Sequence, residues 1–292
     1  MVRDPLTGEG ALLGTTRALR PNEFRDGPED RCAFCPGNED LTPPEIARYG
    51  DASGWNVRVF RNKFPAIVPP DGDHEVIVDS PRHDEEVTAL GTEMWRERYA
   101  AALERAPSSY PVLFKNSGAY AGATILHPHT QLVVLPDLPD RWERMVEGSG
   151  CTLCDEFARA AREETLVAAN GDAAAFVRSH SRFAWSLTIL PARCASSLLA
   201  ADAEGWNGVA ALARDAVQAI GDAFPDRRAF NLLVYSDPHA DAGSFHWHME
   251  IVPRVSTLAG FELSTGMFIR GSTAQESARR WRRMLAPLDG SI

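Results

Sequence analysis

The sequence has no excess of positive charge and no long apolar run. Its 30 Lys and Arg residues stand against 40 Asp and Glu residues, which gives a formal net charge of −10. This balance argues against wholesale binding to nucleic acid or to an anionic membrane, although a pocket for a small anion needs only local positive charge. No apolar run reaches the roughly 18 residues of a membrane-spanning helix.

A secretory signal is also missing from the beginning of the sequence. The first residues, MVRDPLTGEGALL, contain no long apolar stretch. We therefore expect a cytoplasmic protein whose thiols are reduced. The 292 residues, of which 44% are hydrophobic and 24% charged, exclude global disorder and allow one large domain or two smaller ones.

Cysteine is scarce, and its arrangement is informative. Four of the five cysteines form two C-x-x-C pairs, Cys32-Ala-Phe-Cys35 and Cys151-Thr-Leu-Cys154, and the fifth is Cys194. The spacing within each pair is typical of metal ligands. We therefore favour metal binding over the alternative of buried free thiols with a disulfide.

The histidines repeat at the same offset as the cysteines. Two H-x-H triplets begin at His127 and His246, and 92 residues separate Cys35 from the first and Cys154 from the second. The two C-x-x-C pairs are 119 residues apart, and so are the two triplets. Because both motifs share one offset, the sequence indicates internal duplication of an α+β unit.

Hydrophobic periodicity predicts similar elements in each half. The predicted strands cover 57–60, 75–79, 112–115 and 131–135 in the first half, and 174–178, 185–190, 230–235 and 248–252 in the second. Helices are predicted over 84–105 and 202–224. A final helix begins near Thr273, which forms a capping-box pattern with Glu276.

The first triplet extends into an H-x-H-x-Q pattern that can carry phosphorus chemistry. His127, His129 and Gln131 share one face if this segment is extended. The preceding stretch 116–124 is polar and glycine-spaced, as in loops whose backbone N–H groups approach phosphate oxygens. A neutral imidazole whose other nitrogen is held can attack phosphorus. The pattern therefore favours nucleotidyl transfer through a covalent histidine over surface histidines at a strand end.

This H-P-H-x-Q segment resembles the galactose-1-phosphate uridylyltransferases of the histidine-triad superfamily. The resemblance covers most of the chain and includes the segments 4–8, 17–21, 32–38, 62–66 and 80–83. It implies an α+β fold made of duplicated histidine-triad-like units with antiparallel sheets and flanking helices. The N-terminal half would cover 1–145 and hold the nucleophile, and the C-terminal half would cover 146–292.

The resemblance also implies roles for individual residues. His129 would be the nucleophile that accepts the nucleotidyl group, and Gln131 would contact the phosphoryl group. Glu262 would contact the sugar. The full set of substrate-binding residues expected is Arg17, Arg20, Asn62, Phe64, Asn116, Gly122, Thr124 and Glu262.

Two zinc sites follow from the same resemblance. The first would consist of Cys32, Cys35, His83 and His127, with His74 as the alternative to His83. A metal there would brace the strand two residues before the nucleophile.

The second site would consist of Cys151, Cys154, Cys194 and His246, with His239 or His248 as alternatives to Cys194. Iron is the alternative metal at this site. The second triplet continues to Glu250 in place of a glutamine, and a carboxylate there would repel a phosphate. We therefore expect the second half to be a non-catalytic repeat.

The predicted activity moves a nucleoside monophosphate, expected to be UMP, from a nucleoside diphosphate sugar to a sugar 1-phosphate, as in galactose metabolism. One alternative is a nucleoside diphosphate sugar phosphorylase or hydrolase of the ADP-glucose phosphorylase-like branch. The other is a catalytically silent, zinc-stabilised binding protein. The nucleobase, the sugar and the acceptor stay open. The family resemblance further implies a homodimer with active sites near the subunit boundary.

Overall fold

The computed structural model describes residues 2–3, 5–26, 31–51, 54–83, 92–146, 150–224 and 228–286. The strands in these residues are β1 (Val2–Arg3), β2 (Gly10–Ala11), β3 (Glu45–Asp51), β4 (Gly54–Arg61), β5 (Asp73–Val78), β6 (Tyr110–Ser117), β7 (His129–Leu135), β8 (Leu166–Ala169), β9 (Ala173–Phe176), β10 (Leu187–Pro191), β11 (Phe230–Tyr235) and β12 (His248–Pro253). The α-helices are α1 (Glu23–Asp26), α2 (Thr92–Arg105), α3 (Asp140–Val146), α4 (Thr152–Ala160), α5 (Ala203–Ala223), α6 (Gly260–Thr265) and α7 (Ala274–Leu285).

A 10-stranded antiparallel sheet contains equal contributions from the two halves of the chain. Its strand order is β3-β4-β5-β7-β6-β11-β12-β10-β9-β8. Read from either edge to the centre, the strands of each half follow the same order. At the centre β6 pairs with β11, with Ser117 opposite Phe230 and Phe114 opposite Leu233. The predicted α+β class with duplicated units and antiparallel strands is confirmed.

The strands nearest the first triplet are buried on both faces. β5 and β7 consist mainly of Val, Ile and Leu after their polar first residues, and such runs suit a strand covered on both sides. β6 instead alternates buried and half-buried positions, and Lys115 falls in its buried phase. A buried lysine in a strand needs a partner, which the site below provides.

Helices from both halves pack on this sheet around a shared core. α2 packs against β6 and β7, and α5 packs against β9, β10 and β12. Trp95 and Tyr99 from α2 belong to the same buried cluster as Trp206 and Val209 from α5. The two halves therefore share one continuous hydrophobic core. Across the described residues, no helix is long and apolar enough to cross a membrane.

Most predicted elements coincide with observed ones within a few residues. The long second helix spans Ala203–Ala223, with Asp202 as its N-cap, and the last helix starts after the Thr273 cap. The helix predicted over 84–105 is observed from Thr92, and residues 84–91 lie outside the described residues. The sequence interpretation missed β8 and the short helices α1, α3, α4 and α6.

Candidate active site and metal clusters

His129 begins β7 and presents one ring nitrogen for reaction. Its Nδ1 lies 2.9 Å from the carbonyl oxygen of His127, so Nδ1 carries the donated proton and Nε2 keeps its lone pair. Burial lowers the pKa of the His129 ring, and the charge of Lys115 acts in the same direction. The imidazole is therefore neutral with a fixed tautomer, as a nucleophilic histidine requires.

A cleft of about 210 Å³ opens beside His129 and Gln131. Its described lining contains three cations, Arg17, Arg20 and Lys63, and no carboxylate. Aromatic and aliphatic side chains form another part of the wall. Such a cavity can hold a flat, apolar group together with phosphates. The other predicted substrate-binding residues that line it are Asn62, Phe64, Asn116, Gly122 and Thr124.

Glu262 is the predicted substrate residue that the structure does not bring to this cleft. It lies in α6, outside the lining of the cleft, and its side chain is partly exposed. Its carboxylate accepts a hydrogen bond from the Ala259 backbone N–H at 3.1 Å, which caps the helix. Within a single chain Glu262 therefore has a helix-capping role.

The glycine-spaced loop is held against the other half of the molecule. Gly118 has a φ of 78°, and a Cβ there would lie 2.6 Å from the Arg228 carbonyl oxygen, so only glycine fits. Asn231 on β11 donates from Nδ2 to Asn116 Oδ1 at 2.8 Å and to the Ala121 carbonyl oxygen at 2.9 Å. Asn231 thus shapes the cleft from the second half, a role that nothing in its local sequence indicates.

Glu23 fixes the end of the same loop. Its carboxylate accepts the Leu126 N–H at 2.5 Å, and its own N–H donates to the Thr124 carbonyl oxygen at 2.9 Å. The side chain is 8% exposed. Because Glu23 follows the segment of Arg17 and Arg20, it connects the cationic wall to the residues that precede the first triplet. Sequence reasoning missed this residue.

A buried ion pair lies next to the nucleophile strand. Lys115 Nζ on β6 lies 2.5 Å from Asp79 Oδ2, and both side chains are at most 1% exposed. The Thr130 hydroxyl on β7 donates to the same carboxylate at 2.9 Å. The three residues link β6, β7 and the residue that follows β5, next to His129. The sequence shows Lys115 only as the end of a predicted strand.

Cys32, Cys35, His83 and His127 come together as the first metal cluster, with their ligand atoms all within 4.8 Å of one another. Cys35 Sγ lies 3.5 Å from His83 Nδ1 and 3.6 Å from His127 Nδ1. Tetrahedral zinc with bonds of about 2.0–2.3 Å separates its ligand atoms by roughly 3.3–3.8 Å. The Nε2 of His127 donates to the Ser80 carbonyl oxygen at 2.8 Å, so the Nδ1 lone pair faces the sulfurs. The donor set therefore fits a zinc ion.

His74 does not join this cluster. Its Nδ1 lies 3.0 Å from the Ala66 backbone nitrogen, and its Nε2 lies 3.1 Å from Gln131 Oε1. Both ring nitrogens are thus engaged in hydrogen-bond contacts outside the metal cluster. The alternative in which His74 replaces His83 as a ligand is not supported.

Cys151, Cys154, Cys194 and His246 form the second metal cluster, also within 4.8 Å of one another. Cys154 Sγ lies 3.3 Å from His246 Nδ1. The alternative ligands are engaged elsewhere: His239 Nε2 lies 3.0 Å from the Ser109 carbonyl oxygen, and His248 Nδ1 lies 2.9 Å from that of His246. Three sulfurs and one imidazole are a donor set that suits zinc.

The second triplet lies in a different environment from the first. The ring of His248 stacks on Tyr235, with centroids 4.7 Å apart and an angle of 13° between the rings. The Glu250 carboxylate accepts hydrogen bonds from Ser186 Oγ at 2.8 Å and from the Tyr235 hydroxyl at 3.2 Å. At the duplication offset, Tyr235 corresponds to Asn116. An aromatic ring therefore covers the imidazole that corresponds to His129.

Comparison with known proteins found relatives and solved structures that cover nearly the whole chain. No family profile matches the sequence. ADP-glucose phosphorylase of Arabidopsis thaliana is 24% identical, over 97% of this chain and 92% of the relative. Galactose-1-phosphate uridylyltransferase of Thermotoga maritima is 24% identical, over 96% of each protein. A solved uridylyltransferase structure matches with a TM-score of 0.79 at 25% identity, covering 97% of both chains.

Fold and site together define a duplicated histidine-triad-like protein with an H-x-H-x-Q strand beside a cationic cleft. Relatives of both kinds cover nearly the whole chain, and the structural match extends over the same length. The chain is therefore similar over nearly its whole length to galactose-1-phosphate uridylyltransferases and to an ADP-glucose phosphorylase.

Proposed function

We propose that the protein is a nucleotidyltransferase that transfers a nucleoside monophosphate, UMP in the first instance, from a nucleoside diphosphate sugar to a sugar 1-phosphate. The observation that carries the proposal is the fixed tautomer of His129, whose Nδ1 lies 2.9 Å from the His127 carbonyl oxygen, beside a cleft lined by three cations. The Thermotoga maritima relative, named galactose-1-phosphate uridylyltransferase, supports this choice of reaction.

The first step forms a covalent nucleotidyl-histidine. His129 Nε2 attacks the α-phosphorus, a P–N bond forms, and the bond from that phosphorus to the bridging oxygen breaks. The leaving sugar 1-phosphate keeps the electron pair of that bond. Arg17 and Arg20 would stabilise the phosphate charge, and Gln131 would donate a hydrogen bond to a nonbridging oxygen.

The second step regenerates the imidazole. A phosphate oxygen of the acceptor sugar 1-phosphate attacks the same phosphorus, the P–N bond breaks, and its electron pair returns to His129 Nε2. No general base is needed, because the attacking phosphate oxygen is already ionised. His127 Nδ1 and the other three ligands of the first cluster would hold zinc, which would cross-link the segments around the nucleophile strand.

The second half belongs to the proposal as a non-catalytic repeat. Tyr235 stacks on His248, and the carboxylate of Glu250 occupies the sequence position that corresponds to Gln131. A phosphoryl group would have to displace an aromatic ring and lie beside a carboxylate. The second cluster would therefore hold zinc, with iron as the alternative metal, for stability alone.

A nucleoside diphosphate sugar phosphorylase is the second candidate. The Arabidopsis thaliana relative, named ADP-glucose phosphorylase, matches the chain at the same identity as the uridylyltransferase of Thermotoga maritima. Lys63 adds a third cation to the cleft, which suits an additional anion. The first half-reaction is unchanged in this candidate, and inorganic phosphate replaces the sugar 1-phosphate as acceptor.

The proposal also includes a homodimer in a reducing, cytoplasmic environment. Glu262 lies outside the cleft of its own chain, and large apolar side chains are exposed next to it, among them Leu263, Met267 and Ile269. A second copy would cover this surface and bring Glu262 toward the sugar at a subunit boundary. Sedimentation velocity should then give a mass of twice 32.0 kDa.

Label transfer tests the proposed reaction. Protein is incubated with UDP-glucose or ADP-glucose carrying ³²P at the α-phosphate, and the label that stays on the protein is measured. We expect acid-labile label on the wild type and none on His129→Ala. His180→Ala is the matched control, because His180 is exposed and belongs to neither triplet. Unlabelled wild type with both sugars, or a labelled His129→Ala, would contradict the proposal.

A further inference from the structure

His74 lies beside the cleft, and the proposed reaction does not use it. The side chain is 2% exposed. On the sheet, Val76 of β5 pairs with Gln131 of β7, so His74 is the diagonal neighbour of Gln131 on the same face. A buried imidazole in this position needs hydrogen-bond partners, and its partners determine how it acts on Gln131.

The backbone fixes which ring nitrogen of His74 carries the proton. The Ala66 N–H donates to Nδ1 at 3.0 Å, so Nδ1 keeps its lone pair and the neutral ring has its proton on Nε2. Burial lowers the pKa of His74 to about 4, which keeps the ring neutral at physiological pH. The Nε2–H group then donates to Gln131 Oε1 at 3.1 Å.

Asn62 places a second amide group near His74 Nε2 and makes no hydrogen bond to it in this tautomer. Its Oδ1 accepts the Phe64 N–H at 2.8 Å, so its Nδ2 is the amide group that lies 3.2 Å from His74 Nε2. A protonated Nε2 cannot accept those amide hydrogens. They remain available to the cleft, which Asn62 also lines.

We propose that His74 is a positioning residue that fixes the side-chain amide of Gln131, so that its NH₂ group and not its oxygen faces the phosphoryl group. A glutamine rotated by half a turn would place its NH₂ against the Nε2–H of His74, which already faces the Asn62 NH₂ group, and this N–H would lose the acceptor that Gln131 Oε1 provides. It would also turn a carbonyl oxygen toward the phosphate, where charge increases during transfer. The identity of the group that Gln131 contacts rests on the proposed function.

Two substitutions separate the two hydrogen bonds of His74. His74→Asn keeps an oxygen near the position of Nδ1 for the Ala66 N–H but removes the donor to Gln131. His74→Gln keeps an NH₂ group near the position of Nε2. We expect His74→Asn to slow labelling in a single turnover by about 10-fold or more, and His74→Gln to stay within about 3-fold of wild type. Thermal midpoints and metal content, measured on both variants, show that each is folded.

A double-mutant cycle distinguishes positioning from general support of the fold. If His74 acts through Gln131, His74→Asn should cause no further loss in a Gln131→Ala background. A purely structural role would instead reduce labelling by the same factor in both backgrounds, and that result would overturn the proposal.

The tautomer is measured without any substrate. In protein labelled with ¹⁵N-histidine, long-range ¹H–¹⁵N correlation should show the His74 proton on Nε2, and the signals are assigned to His74 by their absence from His74→Asn. A proton on Nδ1 overturns the positioning role. Failure of the wild type to accept label from any nucleoside diphosphate sugar overturns the proposed function instead, so the two failures are distinguishable.

Discussion

Three histidines of the first half each have one ring nitrogen fixed by a backbone group. His127 Nε2–H donates to the carbonyl oxygen of Ser80, and His129 Nδ1–H donates to the carbonyl oxygen of His127. The N–H of Ala66 donates to Nδ1 of His74. The second nitrogen of each ring is thereby committed to the metal cluster, the cleft or Gln131. Because backbone groups cannot change their protonation, the arrangement does not depend on neighbouring side chains titrating.

Substitutions at Lys115 and Asp79 test how much the buried ion pair contributes to stability. Lys115→Met leaves the Asp79 carboxylate buried with only the Thr130 hydroxyl as partner, so we expect a loss of about 3–5 kcal/mol in the free energy of unfolding. Replacing both partners in Lys115→Met/Asp79→Leu should restore most of that stability, because no unpaired charge remains. Urea denaturation measures both. A double variant as unstable as the single one would contradict this account.

Among the elements, those with strong local signals were the predictable ones. β11 matches its predicted range because its apolar run is clear in the sequence. α5 matches its range because apolar periodicity follows directly after the Asp202 N-cap. α4 was missed because a cysteine serves as its N-cap: Cys151 Sγ accepts the Cys154 N–H at 3.4 Å. β8 was missed because its four residues, Leu166–Ala169, carry little strand preference. Pairing with β9 determines its conformation, and local sequence does not report such contacts.

The capping box at the start of α7 allows a prediction about the stability of that helix. Thr273 Oγ1 accepts the Glu276 N–H at 3.2 Å, and the Glu276 carboxylate accepts the Thr273 N–H at 2.8 Å. Thr273→Ala removes one half of this box and should lower the free energy of unfolding by about 1 kcal/mol. Thr273→Ser keeps the hydroxyl and should stay close to wild type. Equal losses in the two variants, measured by thermal unfolding, would show that the methyl group and not the cap is responsible.

For the whole molecule, the duplication could be predicted from the sequence. The way in which the two halves pack together could not. A shared offset of 119 residues identified the repeat. It did not show that β6 and β11 pair to make one sheet, or that Asn231 of the second half holds Asn116 of the first. Residues of the metal clusters and most of the cleft were found because they lie in motifs. Asn231, Glu23 and Lys115 were missed because their roles arise from contacts between segments distant in sequence.

Removing each metal cluster in turn tests whether the first half is catalytic and the second half only structural. We expect two equivalents of metal per chain by elemental analysis, with zinc in the first cluster and zinc or iron in the second. Cys32→Ser/Cys35→Ser and Cys151→Ser/Cys154→Ser should each lose one equivalent and lower the unfolding midpoint, because both halves share one core. Labelling should fall sharply only in the first variant, whose cluster contains His127, two residues from the nucleophile. Equal loss of labelling in both variants, at temperatures well below their midpoints, would contradict a purely structural second half.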